Sequence, residues 1–205
     1  PVALWQDRSG NSRNVSTATS SKRPLVTSAG LSFDGVDDGL ASGNVSFSDT
    51  GLTVYSVVSL TSVGSYPSII NHGTSLSGHW NMWCVNNTGR MALVNGADNI
   101  GAGSSAVNGL VAAGTTTNIA GVGSVLFSAT RSSSDVWTLW QNKTQRDSRS
   151  DAFTPTASAV PIYIGFRNGS LLWNGTIAEL LVFNTEHNSA ARQTVENYLS
   201  AKWGI

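Results

Sequence analysis

The sequence has few charged residues. Of its 205 residues only 12% are Asp, Glu, Lys or Arg, and 12 acidic and 12 basic side chains give a formal net charge of zero. A balanced chain lacks the basic surface that binds nucleic-acid phosphates, so we expect no nucleic acid among its partners. Ser, Thr, Asn and Gly must supply most of the polar surface, a composition that favours proteins working outside cells or on virus particles.

Cysteine and long apolar runs are also scarce. The single cysteine, Cys84, cannot form an internal disulfide, and in WNMWCV we interpret it as a small buried hydrophobe. No apolar run approaches the ~18 residues of a membrane-spanning helix. We therefore expect no membrane insertion and an extracellular or virion-surface location.

Alternating apolar and polar residues predict strands along most of the chain. The clearest are LSFDG (31–35), GLTVYSVVSL (51–60), YPSIIN (66–71), HWNMWCV (79–85), RMALV (90–94), SVLFSAT (124–130), VWTLWQN (136–142), VPIYIGF (160–166) and TIAELLVFN (176–184). Residues 95–121 show little periodicity and predict a long surface loop or a pair of weak edge strands. About ten strands without helices between them predict an antiparallel all-β sandwich or jelly roll.

Helical spacing occurs only in the last segment. Its apolar stripe consists of Ala191, Val195, Tyr198, Leu199 and Trp203, and Asn188 or Ser189 can cap its start. Gly204 follows the final turn. The pattern predicts one C-terminal α-helix that packs on the sandwich.

Three segments carry a family resemblance: WQDRSGN (5–11), LSFDGVDDGL (31–40), and GTIAELLVFN followed by a helix ending VENYLSAKWGI. In order and spacing they resemble the concanavalin A-like lectin/glucanase superfamily, in its laminin G-like (LamG-like) branch of bacterial and bacteriophage proteins. The resemblance implies a two-sheet jelly roll that binds glycans or proteins, in some members through calcium. By this resemblance, residues 1–205 form one laminin G-like domain. We expect this domain either to lack the family's N-terminal strand or to belong to a longer chain.

Paired acids, which polysaccharide cleavage requires, are not evident in the sequence. The three glutamates are Glu179, Glu186 and Glu196, and no strand carries two acids at alternate positions. Glu186 and Glu196 are expected to be solvated charges, whereas Glu179 lies among apolar residues and needs a structural hydrogen bond or ion pair. We predict that the chain is not an enzyme and keep polysaccharide cleavage as a remote alternative.

The densest acidic group is Asp34, Asp37 and Asp38, whose oxygens could hold calcium. Asp-Gly turns usually bond their own backbone, and we favour that interpretation. Calcium here or near Asp98 stays open, and no other cofactor is expected.

Seven tryptophans raise the question of a sugar-binding surface, because aromatic rings stack against the C–H face of sugars. Strand alternation requires that Trp80 or Trp83 point away from the interior, and Trp173 lies in the loop RNGSLLWNG. The predicted ligand-binding residues are Trp80, Trp83, Trp173, His79, Asn95, Asp98 and Arg167.

Two functions fit these observations. The first is a non-catalytic glycan-binding or adhesion module on a bacteriophage virion or cell surface, with a glycan or cell-surface polysaccharide as its partner. The alternative is a structural virion protein, such as a capsid decoration or tail-fibre domain. It would act through contacts with other virion or surface proteins or with further copies of itself.

Overall fold

The computed structural model describes residues 1–47, 50–73, 79–84, 89–95, 109–111, 118–150, 159–167 and 169–205. The strands in these ranges are β1 (Leu4–Trp5), β2 (Val15–Ser16), β3 (Leu25–Thr27), β4 (Gly30–Asp34), β5 (Leu40–Val45), β6 (Leu52–Leu60), β7 (Ser68–His72), β8 (Trp80–Cys84), β9 (Met91–Asn95), β10 (Gly109–Val111), β11 (Val125–Arg131), β12 (Val136–Gln141), β13 (Thr144–Ser150), β14 (Val160–Ile164) and β15 (Asn174–Phe183). One α-helix, α1 (Ser189–Trp203), follows the last of these strands.

The strands form two antiparallel sheets. Within the described residues the front sheet has the order β1-β2-β5-β14-β7-β8-β9-β10, and the back sheet has the order β13-β12-β11-β6-β15-β4-β3. This confirms the predicted all-β jelly-roll sandwich with a C-terminal helix. The sequence did not predict β1, β2, β3, β5 and β13, and β10 lies in the segment expected to be a loop or weak edge strands.

The core lies between the sheets, and the back sheet is covered on its other side as well. Along β6, Val54 and Val58 face the inter-sheet core, whereas Tyr55 and Val57 belong to a second cluster on the outer side. All four are fully buried. Because the side chains of a strand alternate, burial on both faces requires a second layer of protein over the back sheet.

Helix α1 is that second layer. Asn188 Oδ1 accepts a hydrogen bond from Ala191 N at 3.0 Å and caps its start, and Gly204, at φ 69°, ends it. Leu199 is 1% exposed and packs with Tyr55 and its neighbours, which contributes about 2 kcal/mol of transfer free energy. In the described part of the chain, no helix has both the length and the apolar character of a membrane span.

Glu179 fastens the helix to the sheet. Its Oε2 accepts from Trp203 Nε1 at 2.7 Å and pairs with Lys202 Nζ at 2.8 Å. This confirms the structural role predicted for Glu179. A register shift between Ile177 and Glu179 places Ile177 in the inter-sheet core, whereas Glu179 lies on the outer face with Trp203 and Lys202.

The prediction for Glu196 was wrong. It was expected to be a solvated charge, but it is fully buried, and Arg192 Nη1 donates to its Oε2 at 2.6 Å. The guanidinium of Arg192 also lies 4.2 Å from the ring centroid of Trp140. The spacing of four residues brings both charges to the packed face of α1, where each compensates the other. Glu186 is exposed, as expected.

Candidate functional site

The outer face of the front sheet carries polar side chains in the middle of two central strands. Asn71 on β7 is directly opposite Asn81 on β8, and Ser68 is opposite Trp83. The side chain of Met82, between Asn81 and Trp83, points into the inter-sheet core. Strand alternation therefore turns Asn71, Asn81 and Trp83 to the outer face. A register shift between Ser68 and Ile70 brings Ser68 to the same face, where it bonds to Asn71.

Two further residues reach this face from loops. The guanidinium carbon of Arg167 lies 5.3 Å from the ring centroid of Trp83, and the ring of Tyr66 lies 5.9 Å from it. Arg167 and Tyr66 are partly exposed, unlike the strand residues beneath them. Tyr66 has φ 50°, a backbone conformation that is rare and strained for a bulky residue. Tyr66, Ser68, Asn71, Asn81, Trp83 and Arg167 are called the Trp83 site below.

Unsatisfied polar atoms distinguish the Trp83 site. Asn71, Asn81 and Trp83 are fully buried. Within the described residues, no hydrogen-bond partner is present for Asn71 Oδ1, either amide atom of Asn81, Trp83 Nε1 or Arg167 Nη1. Each such atom costs about 1 to 3 kcal/mol, so this concentration of them is a substantial cost to folding.

The bonds that do form hold the floor of the site in place. Asn71 Nδ2 donates to Ser68 Oγ at 2.5 Å and to the backbone oxygen of Phe166 at 2.9 Å. Burial lowers the pKa of the Arg167 guanidinium, because burial disfavours its charged form. The arrangement therefore offers amide donors and acceptors, an indole N–H and a cation beside aromatic rings.

The predicted ligand residues divide between this site and the core. Trp83 and Arg167 lie together in the Trp83 site, and the prediction that Trp80 or Trp83 points outward holds for Trp83. The expectation that Trp80 faces a ligand is corrected. Its side chain is 2% exposed and lies in the inter-sheet core, where its ring stacks on that of His72 with ring centroids 5.9 Å apart. The same alternation that turns Trp83 outward turns Trp80 inward.

Trp173 is corrected as well, because it is fully buried in the core although it lies in a loop. Its backbone N–H donates to the oxygen of Gly165 at 2.8 Å, which closes the loop that bears Arg167. Arg167 and Ser170 also exchange backbone hydrogen bonds at 2.8 and 2.9 Å. Trp173 therefore supports the loop from below instead of facing a ligand.

The remaining predicted residues do not join the Trp83 site. His79 is buried, and its ring lies 5.5 Å from that of His72. Asn95 ends β9 opposite Trp80, and the placement of its side chain is not described. Asp98 lies outside the described residues.

Sequence reasoning missed Ser68, Asn71, Asn81 and Tyr66. A signal existed, since Asn81 interrupts an otherwise apolar strand and Asn71 follows two isoleucines, and an asparagine in such a strand must find hydrogen bonds. Their direct pairing across β7 and β8 depends on strand register, which the sequence does not state.

The acidic group Asp34, Asp37 and Asp38 has carboxylate oxygens within 4.8 Å of one another. Asp38 Oδ2 accepts from Asp34 N at 3.0 Å, and Asp34 Oδ1 accepts from Val36 N at 2.8 Å. Burial, joined by the two neighbouring negative charges, raises the pKa of the Asp38 carboxyl. The backbone bonds agree with turn chemistry, and calcium at this turn stays a prediction.

Comparisons with known proteins show the fold. No protein-family model matches the sequence, and no curated protein matches it. Among solved structures, the Trypanosoma rangeli sialidase in complex with the inhibitor DANA is similar to it with a TM-score of 0.68 and 14% identity, over 96% of this chain and 31% of that one. The chain thus spans about a third of the sialidase's length.

Two further structures with the same fold belong to chains shorter than the sialidase. The receptor binding domain of botulinum neurotoxin C/D mosaic serotype has a TM-score of 0.63 and 13% identity, over 86% of this chain and 45% of that one. The heptameric SAP-like pentraxin from Limulus polyphemus has a TM-score of 0.60 and 14% identity, over 80% of each chain. These similarities show the two-sheet jelly-roll fold that the sequence resemblance implied.

The prediction that the chain is not an enzyme is contradicted by these comparisons. Chains of an enzyme, the sialidase, are among the structures with this fold, with TM-scores of 0.68 and 0.65. The receptor binding domain and the pentraxin share it too. Identities of this size show the fold alone, so membership of the fold gives no ground for excluding catalysis.

Proposed function

We propose that this protein is a glycan-binding module and that the Trp83 site is where it binds sugar. The observation that carries the proposal is the set of buried amide and indole atoms without partners beside the aromatic rings of Trp83 and Tyr66. Similar structures support it by their names: one is a receptor binding domain, and the sialidase is described in complex with sialic acid.

The chemistry of the site matches that of a sugar. A pyranose has an apolar C–H face, which stacks on aromatic rings, and hydroxyl groups around its edge, which donate and accept hydrogen bonds. Asn71 Oδ1 and both amide atoms of Asn81 can pair with those hydroxyls. The sugar enters past the partly exposed Tyr66 and Arg167, and binding replaces the missing bonds of the floor.

The proposed setting is the surface of a bacteriophage virion or of a cell. The three resembling segments and the weakly charged polar composition support it. On this proposal the chain belongs to the bacterial and bacteriophage LamG-like branch, and its partner is a cell-surface polysaccharide.

A glycan array with matched variants tests the proposal. Trp83→Phe shrinks the aromatic surface of the site, and Trp137→Phe makes the same change at a tryptophan buried in the back sheet. We expect the wild-type protein to bind defined glycans, Trp83→Phe to bind them on the order of tenfold more weakly, and Trp137→Phe to bind them equally well. A reducing-end assay on each bound glycan measures cleavage at the same time.

Absence of binding across the array, or equal loss in both variants, would contradict the proposed site. Circular dichroism of each variant distinguishes lost binding from lost folding. Tyr66→Ala gives an independent check at the partly exposed rim, with Tyr198→Ala on the exposed side of α1 as its control.

A second candidate function is a structural role through protein contacts. Among the described strands, β3 lies at the edge of the back sheet. Its residues Leu25 and Val26 are 55% and 69% exposed. An exposed apolar edge strand is a template for pairing with another chain. Light scattering should show an oligomer that Val26→Lys dissociates, and a wild-type protein that stays monomeric and contacts no virion protein would exclude this role.

A further inference from the structure

Arg167 is placed unusually for a cation at a polar site. Its Nη1 is buried without a hydrogen-bond partner, and its guanidinium lies over the ring of Trp83. Within the described residues no carboxylate forms an ion pair with it. The contact with the ring compensates part of the cost of burial, and no described residue accepts a charge-assisted hydrogen bond from Nη1.

Two other arginines in the described part of the chain lie near tryptophan rings and provide a comparison. Arg131 lies 5.7 Å from the ring centroid of Trp137 and pairs with Asp135, and Arg192 lies over Trp140 and pairs with Glu196. Each of these guanidinium groups therefore has an aromatic ring and a carboxylate. Arg167 has the ring only.

We propose that the ligand supplies the missing carboxylate, so that the Trp83 site recognises an acidic sugar, a uronic or sialic acid, through Arg167. This inference rests on the proposed glycan-binding function and names its substrate class. A guanidinium presents parallel N–H donors that match the two oxygens of a carboxylate. Among the described residues, Nδ2 of Asn81 and Nε1 of Trp83 are further donors without partners, and a carboxylate oxygen can accept from either of them.

A neutral sugar fits the site less well. Its hydroxyls would satisfy the amides of Asn71 and Asn81 but would give the partly exposed guanidinium of Arg167 no carboxylate to pair with. The carboxylate is therefore expected to increase affinity by about 10- to 100-fold over the same sugar without it.

The test uses one glycan array in two forms. The first form displays oligosaccharides that contain uronic or sialic acids, and the second displays the same oligosaccharides after their carboxylates have been reduced to primary alcohols. We expect wild-type protein to lose about 10- to 100-fold in affinity on the reduced form. Arg167→Gln should bind both forms equally, at the level of wild type on the reduced form. Arg167→Lys should restore only part of the preference, because an ammonium lacks the forked geometry.

The control is Arg8→Gln, which removes an exposed arginine outside the site and should keep the full preference. If wild type binds acidic and reduced sugars equally, the acidic-sugar inference is overturned while glycan binding stands. If it binds neither form and no neutral glycan, the proposed function fails and this inference fails with it. A preference that persists in Arg167→Gln would place the recognition elsewhere and overturn the role of Arg167.

Discussion

The two outer faces of the sandwich solve the same problem in different ways. On the back sheet, Tyr55, Val57 and Leu126 are apolar, and α1 covers them with Leu199. On the front sheet, Asn71 and Asn81 occupy corresponding central positions, and no described residue pairs with Asn71 Oδ1 or with either amide atom of Asn81. The chain covers the apolar outer face with its own helix. The polar outer face keeps buried hydrogen-bonding atoms that no described residue pairs with.

The largest expected effect concerns the covered face. Arg192→Ala removes the partner of Glu196, which would leave a fully buried carboxylate uncompensated, so we expect the free energy of unfolding to fall by about 3 to 5 kcal/mol. Urea denaturation measures this, with exposed Gln193→Ala as the control that should change stability by less than about 0.5 kcal/mol. A fall below about 1 kcal/mol would show that the pair does little for helix docking.

The next effect has the opposite sign on the open face. Asn81→Leu replaces two unpartnered buried amide atoms with an apolar side chain of similar size, so stability should rise by about 1 to 2 kcal/mol while glycan binding is lost. Ser128→Ala removes a buried unpartnered hydroxyl from the back sheet and should leave binding unchanged. Destabilisation by Asn81→Leu would mean that the amide is satisfied in the folded protein without ligand.

Acid should weaken both sides of the sandwich. Burial, with a contribution from nearby His79, lowers the pKa of His72 below 6.5, and burial also lowers the pKa of His187. The unfolded chain then binds protons that the folded chain does not, so stability is complete above pH 6.5 and falls as the pH drops below it.

The front-sheet part of this dependence can be isolated. Nε2 of His72 faces the oxygen of Val45 at 2.9 Å, and an amide in His72→Gln can make the same donor contact. Denaturation at about pH 7.5 and about pH 5 should show a smaller acid loss in His72→Gln than in wild type. Equal losses would assign the effect to His187, which His187→Gln tests directly.

The smallest effect is expected at the anchor of α1. Glu179→Gln keeps an acceptor for Trp203 Nε1 but removes the charge that pairs with Lys202, whose side chain is 42% exposed. Solvent screens such a pair, so the loss should be about 0.5 kcal/mol in urea denaturation. Glu179 also raises the pKa of Lys202 through its hydrogen bond, so the difference between wild type and variant should disappear at strongly alkaline pH.

The fold was largely predictable because each sheet face leaves a period of two in the sequence. The strands around β6 and β11 follow from alternation, and the helix α1 follows from helical spacing. Of its predicted stripe, Val195, Leu199 and Trp203 pack on the back sheet, whereas Tyr198 is 55% exposed. The exposure of individual tryptophans was not predictable. Alternation separates Trp80 from Trp83 correctly but does not say that an outward side chain in a central strand is also covered.

The candidate site was predicted only in part for the same reason. Trp83 and Arg167 were identified by residue type, but their contact depends on a loop that Trp173 holds from the core. Glu196 shows the reverse error, since a charge on a helix is usually solvated and only its spacing from Arg192 signals a buried pair. The sequence does not state that Arg167 lies against Trp83. It also does not state that the face of α1 with Arg192 and Glu196 is buried.

The position of β15 also governs how the molecule can assemble. It lies between β6 and β4 in the back sheet, so residues near 31 and near 58 are joined only by a strand that begins at Asn174. Such pairing closes long loops, which slows folding. The back sheet therefore cannot be completed during synthesis until residues up to Phe183 have left the ribosome. Until then β4 and β6 each keep one edge unpaired, to which chaperones can bind.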